Sequence, residues 1–279
     1  VGLILVRRGA EALGSPDEGR LRGLHEPAQA GFAPVAEWFT PTARAAPQKN
    51  ESHPPADVTE KLRYTNTMQI NTILFDLDDT LYPRGSGVGE AIGDRMTEYV
   101  MRRLGVDAKE SRRLRHHFLT TYGTTMRGLQ IEHGIDIEEY MGYVHDIDMA
   151  VFLRYDARLD AQLGAVGARK AIFTNAPIEH AGRVLAALAV RHHFEHVFDI
   201  RFAGFLPKPN LSYYHAALGV MEADARRAAL VEDTAQNIPP ARSLGMTTIF
   251  IGPEGASEAD YTAPDIYTAL ETLQRLSAG

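Results

Sequence analysis

Ile73-Leu74-Phe75-Asp76-Leu77-Asp78-Asp79-Thr80 is an apolar run that breaks into carboxylates at Asp76, Asp78 and Asp79. A run so short, without polar alternation, reads as a strand buried on both faces. Three later segments share the pattern: Ala171-Ile172-Phe173 before Thr174, Ala229-Leu230-Val231 before Glu232, and Thr248-Ile249-Phe250-Ile251 before Gly252. Helical periodicity over Glu179 to Val190 and Leu211 to Gly219 separates the later runs. That is the βα alternation of an α/β fold with a doubly wound parallel sheet. Ligands of such sheets bind at the carboxyl ends of the strands. Asp76, Thr174 and Glu232-Asp233 all fall there, so one pocket is expected to collect them.

The stretch between Phe75 and Ala171 is too long for one crossover helix. Its pattern is helical and charged over Gly89 to Leu104, Lys109 to Tyr122, Thr124 to His133, Ile137 to His145 and Asp156 to Gly164. Residues 84–167 are therefore expected to form a helical cap inserted after the first strand, with 68–83 and 168–279 making the core. Before that, residues 1–67 carry prolines at 16, 27, 34, 41, 47, 54 and 55 and no persistent apolar period. They read as a disordered or mis-called extension ahead of a start at Met68.

A hydrophobic content of 44 % suits a globular enzyme-sized unit. The absence of cysteine excludes disulfides, thiolate nucleophiles and Fe–S clusters, so any metal must sit on oxygen or imidazole. A net charge of −7 argues against a nucleic-acid polymer as partner. The apolar run Leu3 to Val6 is too short for a signal-peptide core or a membrane span, and a cytoplasmic location is expected.

By itself Asp76-x-Asp78-x-Thr80 describes either a turn held by side-chain hydrogen bonds or a pair of carboxylates in which one holds a cation and attacks while the other moves protons. Taken with Phe173-Thr174-Asn175-Ala176, Pro207-Lys208-Pro209 and Val231-Glu232-Asp233-Thr234, in that order, the sequence resembles the haloacid dehalogenase superfamily of phosphohydrolases from about Ile70 to Ile251. The resemblance implies a Rossmann-like core and a cap of the kind that closes over small substrates. It also implies Asp76 as the nucleophile that forms an aspartyl-phosphate, with Asp78 as general acid and base. Thr174, Asn175 and Lys208 would hold phosphoryl oxygens. Mg²⁺ would rest on Asp76, the Asp78 carbonyl and Asp233, with Glu232 either on the ion or behind it. Asn237, one turn on, is placed to orient these acids.

A looser likeness concerns Tyr122-Gly123-Thr124-Thr125-Met126-Arg127-Gly128-Leu129, Tyr82-Pro83 and His180-Ala181. These resemble the pyrimidine 5′-nucleotidase branch of the superfamily, which removes phosphate from UMP- or CMP-like nucleotides. The branch implies Tyr122 stacked on the base and Arg127 on a ribose or phosphate oxygen. The plainer alternative packs Tyr122 into the cap and pairs Arg127 at the surface. Sugar-phosphate or phosphoglycolate phosphatase, phosphomutase, 2-haloacid dehalogenase, glycosyltransferase and a non-catalytic binding scaffold are the other functions weighed. A dehalogenase leaves Asp78 without a task, and a glycosyltransferase does not need Thr174 and Lys208 at strand ends.

Other signals read as structural. Gly85-Ser86-Gly87-Val88-Gly89 lacks the lysine of a phosphate loop and suits a hinge into the cap. Adjacent histidines at His116-His117 and His192-His193 diverge if helical and make no chelating face. Arg112, Arg113 and Arg115 suit a solvated helix face.

Overall fold

The computed structural model describes residues 69–278, so the reading of residues 1–67 lies outside the described residues. A six-stranded sheet forms from β1 (Thr72–Phe75), β2 (Arg169–Phe173), β3 (His196–Phe198), β4 (Ala228–Glu232), β5 (Thr247–Ile251) and β6 (Tyr261–Ala263). Its order is β3-β2-β1-β4-β5-β6 and every pairing is parallel. The central strand β1 pairs Phe75 with Ile172 on one side and with Val231 on the other. The residues that follow these three strands therefore emerge side by side.

Side chains alternate along each strand, which gives the sheet two buried faces. Ile73, Phe75, Ile172 and Val231 share one apolar cluster with α6 (Ile178–Leu188) and α9 (Ile266–Ser277). Leu74, Phe173 and Leu230 share the other with α7 (Leu211–Val220) and α8 (Ile238–Ser243). Helices on both faces make the sheet doubly wound.

Between β1 and β2 run α1 (Val88–Leu104), α2 (Ala108–Tyr122), α3 (Thr125–His133), α4 (Ile137–Val144) and α5 (Ala157–Ala165). The side chains of Asp107, Thr124 and Asp136 accept backbone N–H bonds at the starts of α2, α3 and α4. Tyr99, Val100, Phe118, Leu129, Tyr140 and Val144 pack these first four helices around an apolar cluster that also takes in Ile200, just past β3. Helices α2 and α3 approach so closely that a Cβ on Gly128 would lie 2.4 Å from the Phe118 ring. Helix α5 divides from them: its Leu159 and Leu163 are buried with Leu270 and Leu273 in the cluster of the sheet. The segment 84–167 thus contains a four-helix cap and a fifth helix that packs with the core.

Gly87 opens the cap with φ +97, and a Cβ there would meet the Phe152 ring at 2.9 Å. Its backbone is left-handed and its space is filled, so glycine is required on both counts. His192 and His193 do not diverge as the sequence reading expects. They lie in a 3-10 turn, Arg191–His193, and both Nε2 atoms approach Asp160 Oδ1, at 3.2 and 2.7 Å. Among the described residues no helix is long and apolar enough to cross a membrane.

Candidate active site

At the carboxyl end of β1 the chain keeps strand pairing for one more residue, Asp76 N–H donating to Val231 O at 2.9 Å, before Leu81 N–H closes a turn onto Leu77 O. Thr80 Oγ1 donates to Asp76 Oδ2 at 3.1 Å. The other Asp76 oxygen accepts from Lys208 Nζ at 2.6 Å, and the same ammonium donates to Glu232 Oε2 at 2.7 Å. Lys208 is only 3 % exposed. A buried charge persists only when partners compensate its lost hydration. Burial alone would lower the Lys208 pKa, but Asp76 and Glu232 outweigh it and hold the ammonium well above its ordinary range. Burial, with Glu232 repelling it, pushes the Asp76 carboxyl up against the opposing pull of Lys208. Glu232 is raised by burial as well.

Both oxygens of Glu232 are engaged, Oε2 by Lys208 and Oε1 by Thr234 N–H at 3.1 Å. Asp233 accepts instead from the exposed Arg84, whose Nη2 lies 2.6 Å from Oδ2. Asp76, Glu232 and Asp233 each bring a carboxylate oxygen within 4.8 Å of the others. Three acids against one ammonium and one guanidinium leave excess negative charge, and an all-oxygen donor set suits a hard divalent cation such as Mg²⁺. Asn237 completes this wall, buried and with Oδ1 unpartnered.

Thr174, just past β2, is fixed on three sides. Its N–H donates to Phe198 O, its carbonyl accepts from Tyr213 Oη, and its Oγ1 accepts from Ala176 N–H. Asn175 grips the backbone of Lys208: its Oδ1 accepts from Lys208 N–H at 2.8 Å and its Nδ2 donates to Lys208 O at 3.2 Å. The side-chain amide of Asn175 is thereby spent on the lysine loop.

Asp78 stands apart from the lysine. Its Oδ1 accepts from Tyr82 Oη at 2.5 Å and from His180 Nε2 at 2.7 Å. Burial opposes its ionisation, yet His180 and Tyr82 together leave the carboxyl below its ordinary value. Two cavities meet here. One, of about 250 Å³, is lined by Asp76, Thr174, Lys208, Glu232 and Asp233. The other, of about 340 Å³, runs under the cap and is walled by Met96, Arg115, Met126, Tyr140 and Met141. Asp78, Asp79, Asn175 and Ala176 line both.

Tyr122 and Arg127 are not brought to this place. Arg127 is exposed and donates to Gln130, while Tyr122 packs edge-on to His117, and neither lines either cavity. The start of α3 aims Thr124, Thr125 and Met126 at the cavity instead, so Arg127, next along the helix, faces out. Arg115, expected on a solvated face, turns inward to Gly93 O and Thr97 Oγ1, both at 2.6 Å, and lines the cap cavity. A basic run does not tell which of its members faces inward. His180, too, gives no local sign of its bond to a residue 102 positions earlier.

Residues 70–245 match the family described as haloacid dehalogenase-like hydrolase. Among curated proteins, phosphate metabolism protein 8 of Saccharomyces cerevisiae is 25 % identical over 62 % of this chain and 58 % of its own length. The match thus spans little more than half of the yeast protein. Glyceraldehyde 3-phosphate phosphatase of Methanocaldococcus jannaschii is 24 % identical over 74 % of this chain and 98 % of its own. Among solved structures, a HAD phosphatase from Thermococcus onnurineus aligns with a TM-score of 0.55 at 19 % identity, covering 73 % of this chain and 98 % of that one. CbbY from Rhodobacter sphaeroides, in complex with phosphate, aligns with a TM-score of 0.54 at 20 % identity over 71 % and 95 %. Both structures share the fold.

Proposed function

The chain belongs to the haloacid dehalogenase-like hydrolases, and from that premise we propose that it is a Mg²⁺-dependent phosphomonoester hydrolase with Asp76 as nucleophile. One observation carries the reading: Asp78 lines both a polar cavity that Lys208 and Thr174 share and a larger cavity under the cap. A phosphate monoester laid across them has its ester oxygen beside Asp78.

An Asp76 oxygen attacks phosphorus, the bond to the ester oxygen breaks, and Asp78 passes a proton to the departing alkoxide. Asp78 then takes a proton from the water that attacks the aspartyl-phosphate, which releases phosphate and restores Asp76. Lys208 and Thr174 meet the charge on the phosphoryl oxygens. Mg²⁺, when bound at Asp76 and Asp233 with the Asp78 carbonyl, offsets the repulsion between carboxylate and dianion. Glu232, buried against Lys208, holds that ammonium beside the phosphoryl group.

The substrate we infer is a pyrimidine nucleoside 5′-monophosphate. Support comes from the cap cavity, where methionines and the rings of Tyr82 and Tyr140 suit a flat base and Arg115 adds a hydrogen-bond donor. These residues take the parts that the sequence reading gave to Tyr122 and Arg127. The name of the archaeal relative favours a second reading, a small sugar phosphate.

Phosphate release from UMP, CMP, AMP, GMP, glyceraldehyde 3-phosphate and phosphoglycolate, with Mg²⁺ and with EDTA, separates the two readings. Preference for UMP or CMP supports the nucleotidase, and release from sugar phosphates alone replaces it. Asp76→Asn is expected to abolish turnover while the circular dichroism spectrum stays unchanged. Near-normal turnover in that variant would refute the mechanism.

A further inference from the structure

The proposed chemistry asks more of Asp78 than nearness to the ester oxygen. Its carboxyl must present the same oxygen twice, first with a proton to give and then with a lone pair to receive one. A freely rotating carboxyl spends much of its time misdirected, and general acid catalysis is sensitive to such errors.

Two donors remove that freedom. His180 Nε2 and Tyr82 Oη both end on Oδ1, while no hydrogen bond from the described residues reaches Oδ2. The side chain of Asp78 is 35 % exposed, so its free end opens toward the two cavities. His180 is 0 % exposed, and its second ring nitrogen, Nδ1, has no partner. An unpaired buried polar atom costs stability, and an aliphatic side chain in that place would avoid the cost. The ring therefore carries its hydrogen on Nε2, the tautomer assigned from the hydrogen-bond network, and makes one bond, to Asp78.

We propose that His180, helped by Tyr82, is a positioning residue that pins Asp78 by Oδ1 so that Oδ2 alone exchanges protons with the leaving group and with water. The inference rests on the phosphatase reading and adds to it a residue from α6. Both donors hold the clamped oxygen in each half of the cycle, so the proton is confined to Oδ2. Behind His180, the ring of His145 packs at 4.9 Å and its Nδ1 meets Met141 O on α4 at 2.9 Å. The clamp is thus braced against the cap.

The test is the dependence of kcat/KM on leaving-group acidity, measured with Mg²⁺ on the full chain. Substrates run from alkyl phosphates, which need a proton, to 2,4-dinitrophenyl phosphate, which does not. His180→Leu is expected to lose ~100-fold on alkyl esters and less than about threefold on the dinitrophenyl ester. His180→Gln, which keeps a donor near the place of Nε2, is expected to recover part of the loss. Tyr82→Phe should show the same selectivity in milder form, and it carries the test if the leucine variant fails to fold. Equal losses on every ester in Tyr82→Phe and His180→Gln overturn the inference and leave the phosphatase standing. A wild-type chain silent on all esters overturns the phosphatase reading and this inference with it.

Discussion

Glu232 and Asp233 are neighbours in sequence with opposite employment. Strand alternation turns Glu232 inward to Lys208 and leaves Asp233 beside Arg84. Glu232→Gln is therefore expected to lower activity at least tenfold by loosening Lys208, while the Mg²⁺ concentration for half-activation shifts less than about threefold. Asp233→Asn should raise that concentration by ~10-fold or more, since under the proposed function it removes a charged ligand. Calorimetric titration with Mg²⁺ separates the two cases. At this scale the sequence showed residues that follow a strand directly, because β1, β2 and β4 lie side by side and Asp76, Thr174 and Glu232-Asp233 are gathered with them. It did not show which way a cap residue points, as Arg115 and Arg127 illustrate. Nor did it show the bond of His180 to Asp78, for which no spacing rule exists.

The four strands legible as apolar runs are those buried in the middle of the sheet. β3 and β6 are three-residue edge strands, half exposed, and too short to show a period. α8 hides behind Pro239 and Pro240, which stand in its first turn where the missing N–H groups cost nothing. Ile266, Leu270 and Leu273 keep the i, i+4, i+7 spacing of an amphipathic helix, so α9 was open to the same reading as its neighbours. The division of 84–167 into a cap and a core helix was not, since both parts are amphipathic and only packing tells them apart. Packing also sets the tightest contact in the cap, Gly128 against Phe118. Gly128→Ala is expected to cost about 1–3 kcal/mol, because the added methyl must displace a buried ring. A lowered thermal midpoint, with a larger proportional loss of activity on bulky esters than on small ones, would place the damage in the cap.

For the molecule as a whole, a histidine between cap and core is expected to contribute to the pH dependence of stability. Burial, aided by the nearby His180, lowers the His145 pKa to about 4 from an ordinary 6.5. The unfolded chain binds a proton there at a pH where the folded chain does not. Stability contributed by this site is thus complete above about 6.5, falls as pH drops toward 4, and levels off below it. The full loss is on the order of 3 kcal/mol. Urea unfolding between pH 7 and 4 is expected to show that slope, and His145→Gln should flatten it. An unchanged slope in the variant would assign the acid sensitivity to other groups.

The smaller cavity has a consequence for how turnover is paced. All of its lining residues end or follow β1, β2 or β4 or belong to the Lys208 loop, and none comes from the four cap helices. The anion half of the site is therefore complete before the alcohol half is filled and remains so after the alcohol has left. Under the proposed function, inorganic phosphate needs nothing from the cap in order to stay. The enzyme is then subject to product inhibition: phosphate competes with every ester alike, whatever group the cap selects, and hydrolysis slows as the anion accumulates.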